Sequence, residues 1–206
     1  MIANYNELVD KLETWLRRDN LAADIPTLIR FGEQQLMFQL KVPEMILRTS
    51  ISVVSGSGTA TLPANFLAIR SLSNGDIVMR NKTTANMMRD DDGITNNIPL
   101  DYSINGSNLL VRPIANSTVS LLLEYWGFPT FLSSSNQTNS ILTKYPSLYL
   151  YSALIFGYDL VRHSEQLKSA MFHYNTQLGL ANNMANYMLN GNPQASPQSN
   201  KRRYIP

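Results

Sequence analysis

Apolar residues recur at three- and four-residue steps through the first forty positions, the spacing that places them on one face of an α-helix. One series predicts a helix over residues 5–18, and a second series predicts a helix over 25–40. Asp24 stands where a helix cap belongs, and Pro26 fits the first turn because its missing N–H has no helical partner there. Pro43 then ends the second helix, since the residue before a proline avoids helical angles.

From residue 49 to residue 127 the apolar positions alternate with polar ones, which is the period of a half-buried strand. The clearest case is 118–126, where every second residue is apolar. Asn105 and Gly106 lie between two such runs and predict a β-hairpin. Residues 128–140 are rich in Ser, Asn and Thr and are typical of a linker.

Helical spacing returns after this linker. Pro146 can open a helix that runs to about Arg162, and a final helix is predicted over 165–189 before Gly191 and Pro193 stop it. The final helix carries a series of residues in alternating steps of four and three, which is typical of a coiled-coil-like seam for ring or bundle packing. The seam consists of Leu167, Met171, Tyr174, Leu178, Ala181, Ala185 and Met188.

The order of these elements predicts an α+β fold, in which a helical bundle from the N- and C-terminal helices holds an inserted antiparallel β-rich region. The N-terminal helices of the bundle occupy 1–47, and the β-rich region with its linker occupies 48–140. The C-terminal helices occupy 141–191, and residues 192–206 form an extended tail that is too polar to build a core of its own.

Composition removes several kinds of chemistry. Among the 206 residues there is no cysteine, which excludes disulfides, thiolate metal sites and thiol nucleophiles, and the two histidines, His163 and His173, have no metal-ligand spacing. The acidic run 90–93 resembles a calcium loop, but its glycine would place Met88 first and Pro99 twelfth, where the cation needs oxygen ligands. We therefore expect no catalytic residues, no cofactor and no metal, and a protein that is not an enzyme.

The sequence also predicts a protein without a membrane segment. Its longest strongly apolar stretch, 148–158, is about half of the 20 residues that cross a bilayer. The first residues lack the apolar core of a signal peptide, so we expect synthesis and folding in a cytosol.

Charge is low overall but uneven, since the formal net charge is +2 and no acidic residue follows Glu165. The basic tail, with Lys201, Arg202 and Arg203, suits either nucleic acid or an acidic groove on a protein. Tyr204 and Ile205 would add apolar anchors, which favours the protein groove. A nucleic-acid-binding regulatory protein that uses this tail stays open as the alternative, and a frayed, solvated terminus is also compatible with the composition.

Four segments carry a family resemblance by their order along the chain. Residues 5–36 combine a tryptophan helix with an Asp-Ile-Pro helix, and 61–72 hold a Leu-Pro-x-x-Phe strand entry. Residues 99–113 form a Tyr-x-Ile-x-Gly hairpin that ends in proline, and 121–154 join a tyrosine strand to a Tyr-Pro-x-Leu-Tyr-Leu helix. In these features the chain resembles the head-to-tail adaptor, or connector, proteins of tailed bacteriophages, most closely those of short-tailed phages. One departure is at 139–140, where this family often has a tryptophan.

The resemblance implies a structural protein of the virion at the head–tail junction, assembled in the host cytoplasm. It implies a ring, usually of twelve copies, that binds the portal protein, continues the DNA channel and supports the tail nozzle protein, with tail fibres as a further candidate partner. DNA would pass through the channel without specific binding. Following the family's use of a C-terminal arm, we assign portal binding to Lys201, Arg202, Arg203, Tyr204, Ile205 and Pro206.

Overall fold

The computed structural model describes residues 2–17, 21–89 and 98–190. In chain order the elements are α1 (Tyr5–Leu16), α2 (Ile25–Gln39), a 3-10 turn (Pro43–Met45), β1 (Ile46–Val53), β2 (Thr59–Thr61), β3 (Phe66–Asn74), β4 (Ile77–Val78), β5 (Arg80–Asn81), α3 (Thr84–Arg89), β6 (Asp101–Asn105), β7 (Asn108–Arg112), β8 (Val119–Gly127), α4 (Ser140–Lys144), α5 (Pro146–Leu160) and α6 (Ser164–Asn190). The chain divides into two compact units: a helical unit before residue 45 and from residue 131 onward, and a β unit over 45–130.

The two N-terminal helices begin in different ways. At the start of α1 the Asn4 side chain accepts a hydrogen bond from the Glu7 backbone N–H at 2.9 Å, which is the usual N-cap arrangement. At α2 the predicted cap, Asp24, makes no side-chain hydrogen bond to the helix, although Pro26 occupies the first turn as predicted. The proline already removes one of the backbone donors that a cap would have to satisfy.

At the centre of the helical unit is α5, which packs against α1, α2 and α6. Its sequence is apolar on all sides, as expected of a helix that other helices surround. Gly32 allows α2 to approach closely, because a Cβ at this position would lie 2.9 Å from the Ala153 backbone nitrogen and closer still to Ser152 Oγ. This contact needs a residue without a side chain.

Two four-stranded sheets form the β unit, in the orders β1-β8-β3-β4 and β2-β7-β6-β5. The predicted strand over 118–126 is β8, which lies between β1 and β3 and turns its alternate apolar residues inward. Inward-facing residues of both sheets make one core, with Leu72, Leu109 and Leu121 among its fully buried members. This alternation explains why the strand pattern was visible in the sequence.

The α+β fold is therefore confirmed, and so is the helical pairing of the N- and C-terminal ends. The sheets are antiparallel except for the pair β5–β6, which is parallel. The hairpin at Asn105-Gly106 joins β6 to β7, and Gly106 has the positive φ that this tight turn requires. The short helix α4, just before the helix predicted to open at Pro146, was not predicted separately. Its cap is Asn139, whose side chain accepts a 2.8 Å hydrogen bond from the Leu142 N–H.

Candidate interaction surfaces

The longest helix, α6, packs on the rest of the helical unit through a narrow inner face. Ala170, Tyr174, Ala181 and Ala185 are its buried residues. The alanines allow the neighbouring helix axes to come close, and Tyr174 donates a hydrogen bond from its hydroxyl to Gln39 Oε1 at 2.9 Å. The residues of the inner face therefore make contacts within one copy of the chain.

A second contact joins α6 to the end of α2. Asn182 donates from its side-chain nitrogen to the Gln39 carbonyl oxygen at 3.0 Å and accepts from the Lys41 N–H at 2.8 Å. These two bonds satisfy backbone groups at the C-terminus of α2, where the last carbonyls have no partner within the helix. The Asn182 side chain thus fixes the position of α6 beside α2.

The last turns of α6 extend past the start of α5. Ser147, in the first turn of α5, is level with Gln177 and lies 3.5 Å from it. Since α6 ends at Asn190, thirteen residues of α6, 178–190, lie beyond that point. We call residues 180–190 the projecting end.

The projecting end carries large apolar side chains that face solvent. Leu180, Met184, Tyr187 and Met188 are each between 55% and 60% exposed. Scattered exposed apolar residues are normal on a protein surface, but four of them within three turns of one helix form a patch. Such a patch is typical of a surface that contacts another protein.

The predicted seam of α6 is divided between two environments. Tyr174, Ala181 and Ala185 are buried in the inner face, and Leu167 and Leu178 are half-buried beside it. Met171 and Met188 are 46% and 57% exposed. The four-three spacing of the seam identified the inner face. Leu180, Met184 and Tyr187 follow the same spacing one residue earlier, and Met188 is the one patch residue that the predicted seam includes.

A buried carboxylate lies in the middle of the helical unit. Glu33 on α2 is fully buried and accepts a 2.7 Å hydrogen bond from the Leu132 backbone N–H through Oε1. The Tyr149 hydroxyl on α5 donates to the same oxygen at 3.3 Å. The other oxygen, Oε2, has no hydrogen-bond partner among the described residues, and the Arg30 guanidinium lies 3.9 Å from it.

Burial sets the ionisation of this group. Removal from water raises the pKa of Glu33 to about 7, while the Leu132 N–H, Arg30 and Tyr149 act in the opposite direction. Burial and the nearby Glu33 charge raise the pKa of the Tyr149 hydroxyl, which stays a proton donor at neutral pH. Glu33 therefore links α2, α5 and the chain segment around Leu132. Because its pKa is about 7, its carboxyl group changes charge near neutral pH.

The same segment is held at its start by an aromatic contact. The Arg30 guanidinium lies 3.4 Å from the centroid of the Phe131 ring, within the range of a cation–π interaction. Further along, Gln137 accepts a 2.7 Å hydrogen bond from the Tyr5 N–H through its backbone carbonyl. The predicted linker is thus fixed to the helical unit by side chains that no spacing rule picks out.

The other predicted site residues lie outside the part of the chain that the structure describes. These are the six predicted portal-binding residues, Lys201 to Pro206, and the acidic run 90–93. Within the described ranges, no three His, Asp or Glu side chains are grouped so that they could hold a metal ion. In those same ranges no helix combines the length and the apolar character needed to span a membrane.

The exposed apolar patch of α6 is typical of a protein that contacts other proteins. The chain matches the protein family described as SU10 adaptor protein over residues 3–199 and belongs to that family. SU10 is a short-tailed phage, so the protein is a phage virion adaptor, a structural component without enzymatic activity. The family resemblance found in the sequence is thereby confirmed. No curated protein matches this chain.

Proposed function

We propose that the protein forms a ring, of twelve copies, between the portal protein and the tail nozzle at the head–tail junction. The observation that carries this proposal is the projecting end of α6, with four apolar side chains in solvent on a helix that is otherwise anchored by its inner face. An apolar patch at the end of a rigid helix suits repeated contact between neighbours, because the same surface is offered once by every copy.

The basic tail takes the second contact in this proposal. Lys201, Arg202 and Arg203 provide charge for steering towards an acidic groove of the portal, and Tyr204, Ile205 and Pro206 provide the apolar anchor. A single docked tail can be weak. In a ring, the tails act together at high effective concentration, so a weak contact becomes a stable attachment.

The low net charge fits a channel for DNA. A formal net charge of +2 over 206 residues leaves little of the positive charge that would bind phosphates and slow translocation. In this proposal the nozzle, and then the fibres, attach to the face of the ring away from the portal. Assembly takes place in the host cytoplasm.

The ring contact is tested with two matched leucine variants. Leu180 lies on the projecting end and is 60% exposed, whereas Leu122 lies on β8 and is 52% exposed. We expect Leu180→Ser, alone or with Met184→Ser, to prevent ring formation on purified portal, while Leu122→Ser assembles as the wild type does. Electron micrographs of each protein mixed with portal give the readout. Rings of normal size from the double variant would refute the assignment of the projecting end.

The tail contact is tested separately. Deletion of 192–206 should abolish binding to portal and leave the helical content by circular dichroism unchanged. A tail-less protein that still binds portal with wild-type affinity would move the portal contact to another surface. A salt titration with duplex DNA then distinguishes the alternative, since a DNA-binding tail loses affinity steeply as salt rises.

A further inference from the structure

A cleft of about 740 Å³ opens at the end of the helical unit opposite the projecting end of α6. It lies between the C-terminus of α1 and the beginning of α6, with α5 as its floor. Its walls include Trp15, Arg17, Tyr158, His163 and Gln166. A volume of this size accepts several residues of a peptide chain.

The cleft continues along α6 into a smaller one of about 210 Å³. The two share Trp15, Tyr158 and Gln166, and the second adds Tyr151 and His173. From His163 to His173 the helix rises about 15 Å, which is the length of about four or five residues of extended chain. We call the combined cleft the aromatic groove.

Aromatic rings pack against one another along this groove. Trp15 and Tyr151 meet edge to face with centroids 6.1 Å apart, and Tyr151 stacks on His173 at 5.1 Å. Trp15 is 42% exposed although it is the largest side chain of α1. Partly exposed aromatic rings such as that of Trp15 are the surface on which proline rings and extended segments dock.

One end of the groove is positively charged. Arg17 is exposed, follows the last residue of α1 and forms no ion pair with any other residue of the described ranges. Its charge reaches the groove wall: burial raises the pKa of the Tyr158 hydroxyl and the Arg17 guanidinium opposes that rise. No carboxylate is among the described residues that line either part of the groove.

The groove also offers hydrogen-bonding groups for a peptide backbone. Gln166 lies at the junction of the two clefts, and Thr14 and Ser169 lie at their margins. An extended segment leaves its N–H and C=O groups unpaired, so amide and hydroxyl side chains along its path stabilise it.

From these observations we infer that the aromatic groove binds an extended, acidic, proline-containing segment of another virion protein. A proline or aromatic ring of the segment packs between Trp15 and Tyr158, and a carboxylate pairs with Arg17. The contact is distinct from the projecting end and from the tail. The protein's own tail is a poor occupant, because Lys201, Arg202 and Arg203 would bring positive charge to a groove that already carries it.

The inference is tested by selecting random heptapeptides on the immobilised full-length protein. We expect the enriched peptides to combine proline with aspartate or glutamate. Enrichment of basic peptides, or no enrichment at all, would overturn the inference. A synthetic peptide of the tail sequence 192–206 is included, and preferential binding of that peptide would also overturn it.

Variants then locate the binding site of the enriched peptides. Arg17 has a φ of 51°, a left-handed conformation that asparagine tolerates, so Arg17→Asn removes the charge with little backbone strain. It should weaken binding about tenfold, the loss of one charge-assisted contact. Trp15→Ala should abolish binding, and Phe38→Ala, which removes a 72% exposed ring from α2, should leave it unchanged. Equal affinity of Arg17→Asn and the wild type would refute the assigned pairing.

Discussion

The two units of this protein differ in the partners of their carboxylates. In the β unit Glu124 bridges Arg48 and Arg70, and the buried Asp101 bridges Arg80 and Lys82, so each carboxylate has two cationic partners. In the helical unit the buried Glu33 has the Arg30 guanidinium 3.9 Å from its Oε2, and a cluster of apolar side chains near the end of α6 faces solvent.

This difference predicts where each unit is sensitive. The β unit has an apolar core that two sheets enclose, so its exposed ion pairs, such as Arg48–Glu124, contribute little to the free energy of unfolding. The helical unit depends on a few contacts whose loss leaves buried groups without partners. Its exposed apolar surface contributes nothing to folding of one copy, which is why we assign that surface to assembly.

The largest effect should come from the charge of Glu33. Its pKa is raised to about 7 in the folded protein, so between about pH 4.5 and pH 7 the folded state holds a proton that the unfolded state has released. The free energy of unfolding should therefore decrease as the pH rises through this range, by about 3 kcal/mol, and stay lower above it. Urea unfolding of the wild type between pH 4.5 and pH 8 measures the decrease.

Glu33→Gln is the matched control for this prediction. Glutamine keeps an acceptor for the Leu132 N–H but carries no charge at any of these pH values. Between about pH 4.5 and pH 7 the difference in unfolding free energy between wild type and variant should therefore change by about 3 kcal/mol. If the two proteins had parallel pH profiles, burial of the Glu33 carboxylate would not control the stability of the helical unit.

A smaller effect is expected from the close contact of α2 with α5. Gly32→Ala places a methyl group 2.9 Å from the Ala153 backbone nitrogen, and the resulting displacement should lower the unfolding free energy by about 1–3 kcal/mol. Gly179 on α6 has open space around it, so Gly179→Ala should raise stability by up to about 1 kcal/mol. Thermal unfolding of the two variants should show stability changes of opposite sign. Equal changes would show that the close contact of α2 with α5 does not make Gly32 special.

The contact of α6 with the end of α2 should matter less. Asn182→Ala removes two hydrogen bonds whose backbone partners water can reach, so we expect a loss of about 1 kcal/mol. Asn183 is exposed and makes none of these bonds, which makes Asn183→Ala the control. Amide hydrogen exchange at Lys41 should become faster in the first variant alone. Unchanged exchange would mean that Asn182 does not hold α6 to α2.

The smallest effect should come from the ion pairs of the β unit. Arg48 is 73% exposed at its side chain, and Arg48→Ala still leaves Glu124 paired with Arg70. The change in unfolding free energy should be below about 1 kcal/mol and should disappear at high salt. A loss as large as that of Gly32→Ala would contradict the proposed difference between the two units.

Much of the fold could be predicted because the elements are strongly periodic. The 3.6-residue spacing gave the two N-terminal helices within two residues of their ends, and alternation gave β8 and the hairpin at Asn105 and Gly106. The missed elements are short. The strands β4 and β5 lie in different sheets and were not separated by the sequence pattern, since two-residue strands leave no periodic signal.

The interaction surfaces were predictable only in part. The regular seam of α6 identified residues that pack within one copy, because a repeat of four and three residues marks any buried helix face. It could not show that Leu180 and Met184, on the neighbouring face of the same helix, remain exposed. The tail was predicted from its charge, its apolar residues and the family resemblance, and its role stays a prediction.

The amino-acid sequence by itself determined the family, the α+β class and the absence of cysteine chemistry, since these depend on the order and kind of residues. Only the tertiary structure decided which apolar residues are left without partners. It also decided that Glu33, Leu132 and Tyr149 meet, and that Trp15 faces Tyr158 across an open groove. The physical reason is that burial and charge are properties of a residue's surroundings, and those surroundings come from chain segments far apart in sequence.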